Sequence, residues 1–231
     1  MACGGPSERI KDIEATKTSS PSPTPKEREI SGAYNISGAG DHGDQPYTGL
    51  LEVTPQGNVY GFRWQLTKGT RIGTGIQMGS AVAVSSAAVA AGKGCGVVLY
   101  KIAPDGSMEG KIGRWGEEPT GSEKVTRVKG TTFAGEYALA GTTPDGKPFK
   151  GKLTIKKDAA GYDFEWFRDY ESQPDTVSVG FGIWKGSFAA AVFGGTQCGF
   201  SLYDIQSNGN LEGDWGGQKA VTFGTEAAKR Q

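Results

Sequence analysis

Histidine occurs once in this chain, at His42, cysteine three times, and no stretch repeats apolar residues at helical spacing. A single histidine with no thiol near it in sequence argues against a His-based nucleophile and against a zinc centre built from Cys and His. Calcium loops of the Asp-x-Asp-x-Asp-Gly kind are missing too. Gly73-Thr-Gly75 opens like a phosphate-binding turn, but no helix follows to present its N-terminus. Net charge is also absent: 25 basic residues balance 25 acidic ones, which removes a broad electrostatic grip on nucleic acid or on an anionic membrane. No cofactor and no metal is expected.

What is abundant is glycine, 38 of 231 residues, together with Tyr, Trp, Phe, Val and Thr. That composition favours short strands joined by tight turns. The chain also says the same thing twice. Gly32-Ala-Tyr34 returns as Gly135-Glu-Tyr137, Tyr60-Gly-Phe62-Arg-Trp64 as Tyr162-Asp-Phe164-Glu-Trp166, and Gly73-Thr-Gly75 as Gly180-Phe-Gly182. Cys95-Gly96 with Tyr100 matches Cys198-Gly199 with Tyr203, and Gly121-Ser-Glu123 matches Gly224-Thr-Glu226. The division is therefore a linker over 1–30, a first repeat over 31–128 and a second over 129–231.

Alternation of apolar and polar residues marks strands with one buried face, most clearly at Tyr60, Phe62, Trp64 and Leu66. In the first copy the pattern predicts strands near 32–37, 47–54, 59–66, 71–77, 81–86, 95–103, 107–115 and 121–127. Asp105-Gly106 and Asn208-Gly209 supply the positive φ of tight hairpins, so neighbours in sequence should be neighbours in the sheet. Eight meandering strands close most economically into a small barrel, which removes the exposed edges. The fold class expected is all-β: two tandem antiparallel meander repeats, each a barrel of about eight strands, with one larger pseudo-symmetric barrel as the alternative. Glycines 73, 75 and 79, and 180, 182 and 186, read as bends beneath the aromatic rings of the preceding strand.

The recurring order Gly-x-Tyr, Tyr-x-Phe-x-Trp, Gly-x-Gly-Ile, Cys-Gly…Tyr-x-Ile and Gly-Ser/Thr-Glu resembles a group of bacterial exported proteins built from one or two such β-repeats, some of which carry the label fibronectin-binding. The resemblance spans nearly all of the chain after residue 31 and brings no catalytic residues with it. A remoter likeness to the avidin and calycin barrels is one of fold alone. Met1-Ala2-Cys3-Gly4 resembles the end of a bacterial lipoprotein signal, which implies that Cys3 is acylated. The Pro- and Ser-rich stretch behind it cannot bury enough apolar surface to offset its ordering entropy and reads as a flexible tether. Localisation at the cell envelope follows as an expectation, with the membrane touched only through the lipid.

Cys95 and Cys198 occupy equivalent positions, and two buried free thiols are expected there. A bond between them requires the copies to pack about a pseudo-twofold axis passing close by. The loop Asp41-His42-Gly43-Asp44 reads as a turn. Trp64, Tyr100, Trp166 and Tyr203 recur at strand spacing and read first as core; Glu123 and Glu226 read as structural plugs bonded to backbone or to the opening strand. The same six residues are the candidates for lining a ligand site. No catalytic residue is assigned, because carboxylate catalysis needs two acids held together and each copy has one. The expected function is a non-enzymatic binding module whose partner is an unidentified protein or a small apolar ligand. A carrier of an apolar molecule inside each barrel and a carboxylate-dependent enzyme are the alternatives.

Overall fold

The computed structural model describes Met1 and residues 27–40, 46–116, 120–170 and 173–231. Cys3 and the His42 loop lie outside the described residues. Sixteen strands form in order: β1 (Gly32–Ala39), β2 (Tyr47–Gln56), β3 (Val59–Leu66), β4 (Gly69–Met78), β5 (Ala81–Ala88), β6 (Gly96–Ile102), β7 (Met108–Arg114) and β8 (Gly121–Lys129) in the first repeat. The second repeat supplies β9 (Gly135–Thr142), β10 (Pro148–Asp158), β11 (Gly161–Tyr170), β12 (Gln173–Lys185), β13 (Phe188–Phe193), β14 (Gly199–Ile205), β15 (Leu211–Gly216) and β16 (Gly224–Arg230). Helix among the described residues is one short 3-10 turn, Gly92–Gly94.

Two closed eight-stranded antiparallel barrels result, as expected, but neither coincides with a repeat. The first five strands close with the last three, through β5 against β14 and β1 against β16. The eight strands between them, β6 to β13, close on themselves through β6 against β13. Thus one barrel, residues 96–193, is continuous and inserted into the other, which is split into 32–88 and 199–230. We call them the inserted and the split barrel. The chain leaves the split barrel after β5 and returns before β14, and Cys95 and Cys198 stand at these two crossings.

They are bonded to each other, with Cα atoms 5.8 Å apart, which corrects the expectation of free thiols. The strand exchange is the reason. It brings both crossings together where the barrels meet, so equivalent residues of the two repeats become neighbours.

Between the barrels lies an apolar core of its own. Val97, Leu99, Phe181, Ile183, Ala190 and Val192 of the inserted barrel join Ile76, Ala81, Ala83, Phe200 and Leu202 of the split barrel. In β5, Val82 and Val84 point inward while Ala81 and Ala83 point to this junction. Strands β5, β6, β13 and β14 are therefore buried on both faces. Their sequences accordingly read as unbroken runs, such as Ala81-Val-Ala-Val84 and Phe188-Ala-Ala-Ala-Val-Phe193, rather than as alternation.

The interiors are filled by rings: Tyr34, Phe62, Trp64 and Tyr203 in the split barrel, Tyr100, Tyr137, Phe164 and Trp166 in the inserted one. Tyr34 and Tyr137 donate to the carbonyls of Ile30 and Phe133, 2.7 Å each, and so tie down the segment entering each barrel's first strand after the repeat boundary. Ile30 is fully buried, and Gln77 Nε2 donates to the Arg28 carbonyl at 2.9 Å, so the described residues at the end of the stretch expected to be tether pack against the split barrel. Gly180 sits beneath Trp166, where a Cβ would lie 2.9 Å from the ring, and Gly75 sits beneath Phe62. Gly79 and Gly186 are not bends. With φ of 60° and 58° they open the two-residue turns into β5 and β13.

Because residues 96–193 hold a complete barrel, that fragment alone should unfold in one cooperative thermal transition, at a higher temperature than residues 130–231, which carry one repeat but an incomplete set of paired strands. Circular dichroism melts check this; the reverse order contradicts it. Replacing Cys95 and Cys198 by Ala should lower unfolding stability by about 4 kcal/mol, since the bond closes a loop spanning 103 residues. Denaturant titration of the oxidised protein against the variant measures the difference.

Candidate functional site

Closure puts the six recurring candidates into two equivalent clusters, and each cluster takes residues from both repeats. In the split barrel Trp64 of β3 meets Tyr203 of β14 and Glu226 of β16. In the inserted barrel Trp166 of β11 meets Tyr100 of β6 and Glu123 of β8. Every one of these side chains points inward by the strand alternation, and all are buried. Glycines make the room: a Cβ at Gly110 would lie 2.8 Å from the Tyr100 ring and 2.9 Å from Glu123 Cγ, and one at Gly213 would lie 2.7 Å from the Tyr203 ring.

Around Glu226, 6% exposed, Oε1 accepts from Tyr203 Oη at 2.7 Å and from Trp64 Nε1 at 3.0 Å, while Oε2 accepts from Tyr47 Oη at 2.7 Å. Around Glu123, 2% exposed, Oε1 accepts from Tyr100 Oη, which itself accepts from Trp166 Nε1 at 2.7 Å. The other oxygen, Oε2, accepts from Arg168 Nη2 at 3.1 Å, a buried ion pair. Burial, and then the adjacent carboxylate, push the phenols of Tyr100, Tyr203 and Tyr47 well above the ordinary tyrosine value.

Both glutamates were expected to bond backbone or the opening strand; they bond side chains instead. The physical reason is that backbone groups around a closed barrel are already spent in the ladders, so an inward carboxylate must be satisfied by other inward polar groups. The two glutamates lie in separate barrels, Glu123 on β8 and Glu226 on β16. Among the described residues no group of three or more His, Cys, Asp or Glu side chains is placed to hold a metal ion.

Tyr47 and Arg168 were missed. Arg168 stands two residues after Trp166, in the inward phase of β11, and a cation at an inward position is itself the signal. Tyr47 was hidden by its place at the start of β2, where the alternation has only begun. Among the grooves that the described residues form outside the barrels, two border the strands of interest. One, of about 410 Å³, runs over β10 to β12 and includes Lys156, Asp163, Glu165 and Val179; the other, of about 530 Å³, crosses β1 and β14 to β16 and includes Lys185, Asp204, Glu212 and Asp214.

The two clusters should differ in sensitivity. Arg168→Leu leaves the buried Glu123 carboxylate without its cation and should cost about 3 kcal/mol, whereas Tyr47→Phe removes one neutral donor of three and should cost about 1 kcal/mol. Urea unfolding of the single variants checks both; equal losses would contradict the difference drawn between an ion pair and a neutral cluster.

Comparison with known proteins adds no relative: no family model, no curated protein and no solved structure matches the chain.

Proposed function

We propose that this protein is a non-enzymatic binding module of the bacterial cell envelope, exported and held to a membrane by a lipid on Cys3. The observation that carries the reading is the state of the barrel interiors. Rings fill them, and the hydroxyl and indole groups that could act on a substrate are spent on Glu123 and Glu226. A carrier of an apolar molecule would need interior volume that Phe62, Trp64, Phe164 and Trp166 occupy. Carboxylate catalysis would need a second acid beside the first. Recognition then falls to the outer faces and barrel ends, where grooves lie and where two domains on one chain can engage a partner together.

Export is supported by the Cys95–Cys198 bond, since structural disulfides persist in oxidising compartments and are rare in reducing ones. The Pro- and Ser-rich composition ahead of the barrels suits an anchored domain that must reach away from the bilayer.

Native protein recovered from bacterial membranes tests the proposal. Intact mass should show an acylated Cys3, and alkylation without reductant should leave Cys95 and Cys198 unlabelled. Recovery in the cytosolic fraction with an unmodified N-terminus and both thiols labelled would overturn it.

A further inference from the structure

The duplication lets each barrel serve as a comparison for the other, and their outer faces differ at the two crossings. Gly73 faces Ser86 in the split barrel and Gly180 faces Phe193 in the inserted one, so Ser86 and Phe193 are equivalent, as are the bonded Cys95 and Cys198. Eight residues, 87–94, separate the first pair of positions and only four, 194–197, the second. The longer connection does two things. Ala87 and Ala88 continue β5 and pair with Ile72 and Arg71 of β4, and the Gly92–Gly94 turn then packs back against β4 and β5. Ile72, on the outer face, is left 5% exposed.

The shorter connection does neither. β13 stops at Phe193, opposite Gly180, while β12 runs on beside β11 through Val179, Ser178 and Val177. Among the described residues no other backbone takes up the side of Val177–Val179 that β13 has left. Val179, the counterpart of Ile72, is 68% exposed, and Val177 is 56% exposed. The groove of about 410 Å³ lies there, lined by Val179 and Phe181 of β12, by Gly195 and Thr196 of the short connection, and by Asp163 and Glu165 of β11. Phe181 also belongs to the apolar junction between the barrels, so the groove continues a surface on which chain already packs against chain.

We propose that this groove takes an extended segment of a partner protein, small and apolar with one basic residue, which adds to β12 at Ser178–Val179 as Ala87–Ala88 adds to β4. An open strand edge presents unpaired N–H and C=O groups that an incoming strand can satisfy, and exposed apolar side chains beside it give that strand something to cover. The occupant's chemistry is that of the segment filling the equivalent place, Ala87-Ala-Val-Ala-Ala-Gly-Lys-Gly94. Asp163 and Glu165, with Lys156 as the groove's one basic residue, favour a cation over an anion. The site deepens the binding-module reading and rests on it, yet it is independent of export and of the lipid.

An acetylated and amidated peptide with the sequence of residues 85–94, titrated into the full chain labelled with ¹⁵N, tests this through the backbone amide resonances. Those of Ser178 and Val179 should shift saturably, with a dissociation constant on the order of 1 mM, while those of Arg71 and Ile72 stay in place because Ala88 and Ala87 already pair with them. Val179→Lys puts a charge on the open edge and should weaken binding about tenfold or more. Val128→Lys, at an equally exposed position on β8, should leave it unchanged. The proposal is overturned if Val179 does not respond, if Val179 and Ile72 respond alike, or if Val179→Lys binds as the parent does. The same shifts on concentrating the chain without peptide would give the groove to a second copy and overturn the partner segment. None of these failures touches the membrane-recovery experiment, so the groove's occupant and the module reading fail separately.

Discussion

Backbone ladders between strands of different repeats hold this molecule together. In β5 and β14, Ala81 faces Asp204 and Ser86 faces Gly199; in β13 and β6, Phe188 faces Lys101 and Phe193 faces Gly96. The two registers are the same when the repeats are aligned, so either strand of one pair could stand in for its counterpart in the other. Local hydrogen bonding therefore does not choose between barrels that exchange strands and barrels that do not. The choice lies in the connections and in what they bring together: short crossings, a disulfide between them, and an apolar junction that buries strands on their second face.

From that pairing the interior chemistry follows. Neither repeat alone, in this topology, brings its own tryptophan to its own glutamate: Trp64 needs Glu226, and Trp166 needs Glu123. The buried carboxylate is a cost carried twice, met in one barrel by an ion pair and in the other by neutral donors. Divergence at only two inward positions, 47/149 and 66/168, separates the two solutions. The rings around each glutamate, the glycines beneath them and the tyrosines at the barrel base are kept in both, while elsewhere the inward residues trade volume: Val82 and Val84 stand where the inserted barrel has Ala189 and Ala191, and Ala228 where it has Val125.

Much of the fold was legible because period-two alternation and Asx-Gly turns act locally. Strand limits read from 59–66 or 121–127 need no knowledge of the rest of the chain, and the closing glutamates stood out by recurrence. The exchange was not legible, because sequence similarity fixes which strands are alike and says nothing about which copy each one pairs with. Its one trace was the unbroken apolar run of Ala81–Val84 and Phe188–Phe193, which departs from alternation because both faces are covered. The same blindness hid the disulfide, whose formation depends on where the crossings meet. In the candidate site the six recurring residues were found as a set, but their partners were not, since Tyr47 and Arg168 differ between copies and repetition could not point to them.

Cutting the chain between the repeats addresses the strand exchange directly. With a protease site placed in residues 130–134, cleavage and then reduction of the disulfide leave two halves joined by no covalent bond. Exchanged strands predict that the halves remain interlocked and elute together as one species of the intact size under native conditions. Separation into two independently folded halves would show that each repeat closes on itself and would contradict the account.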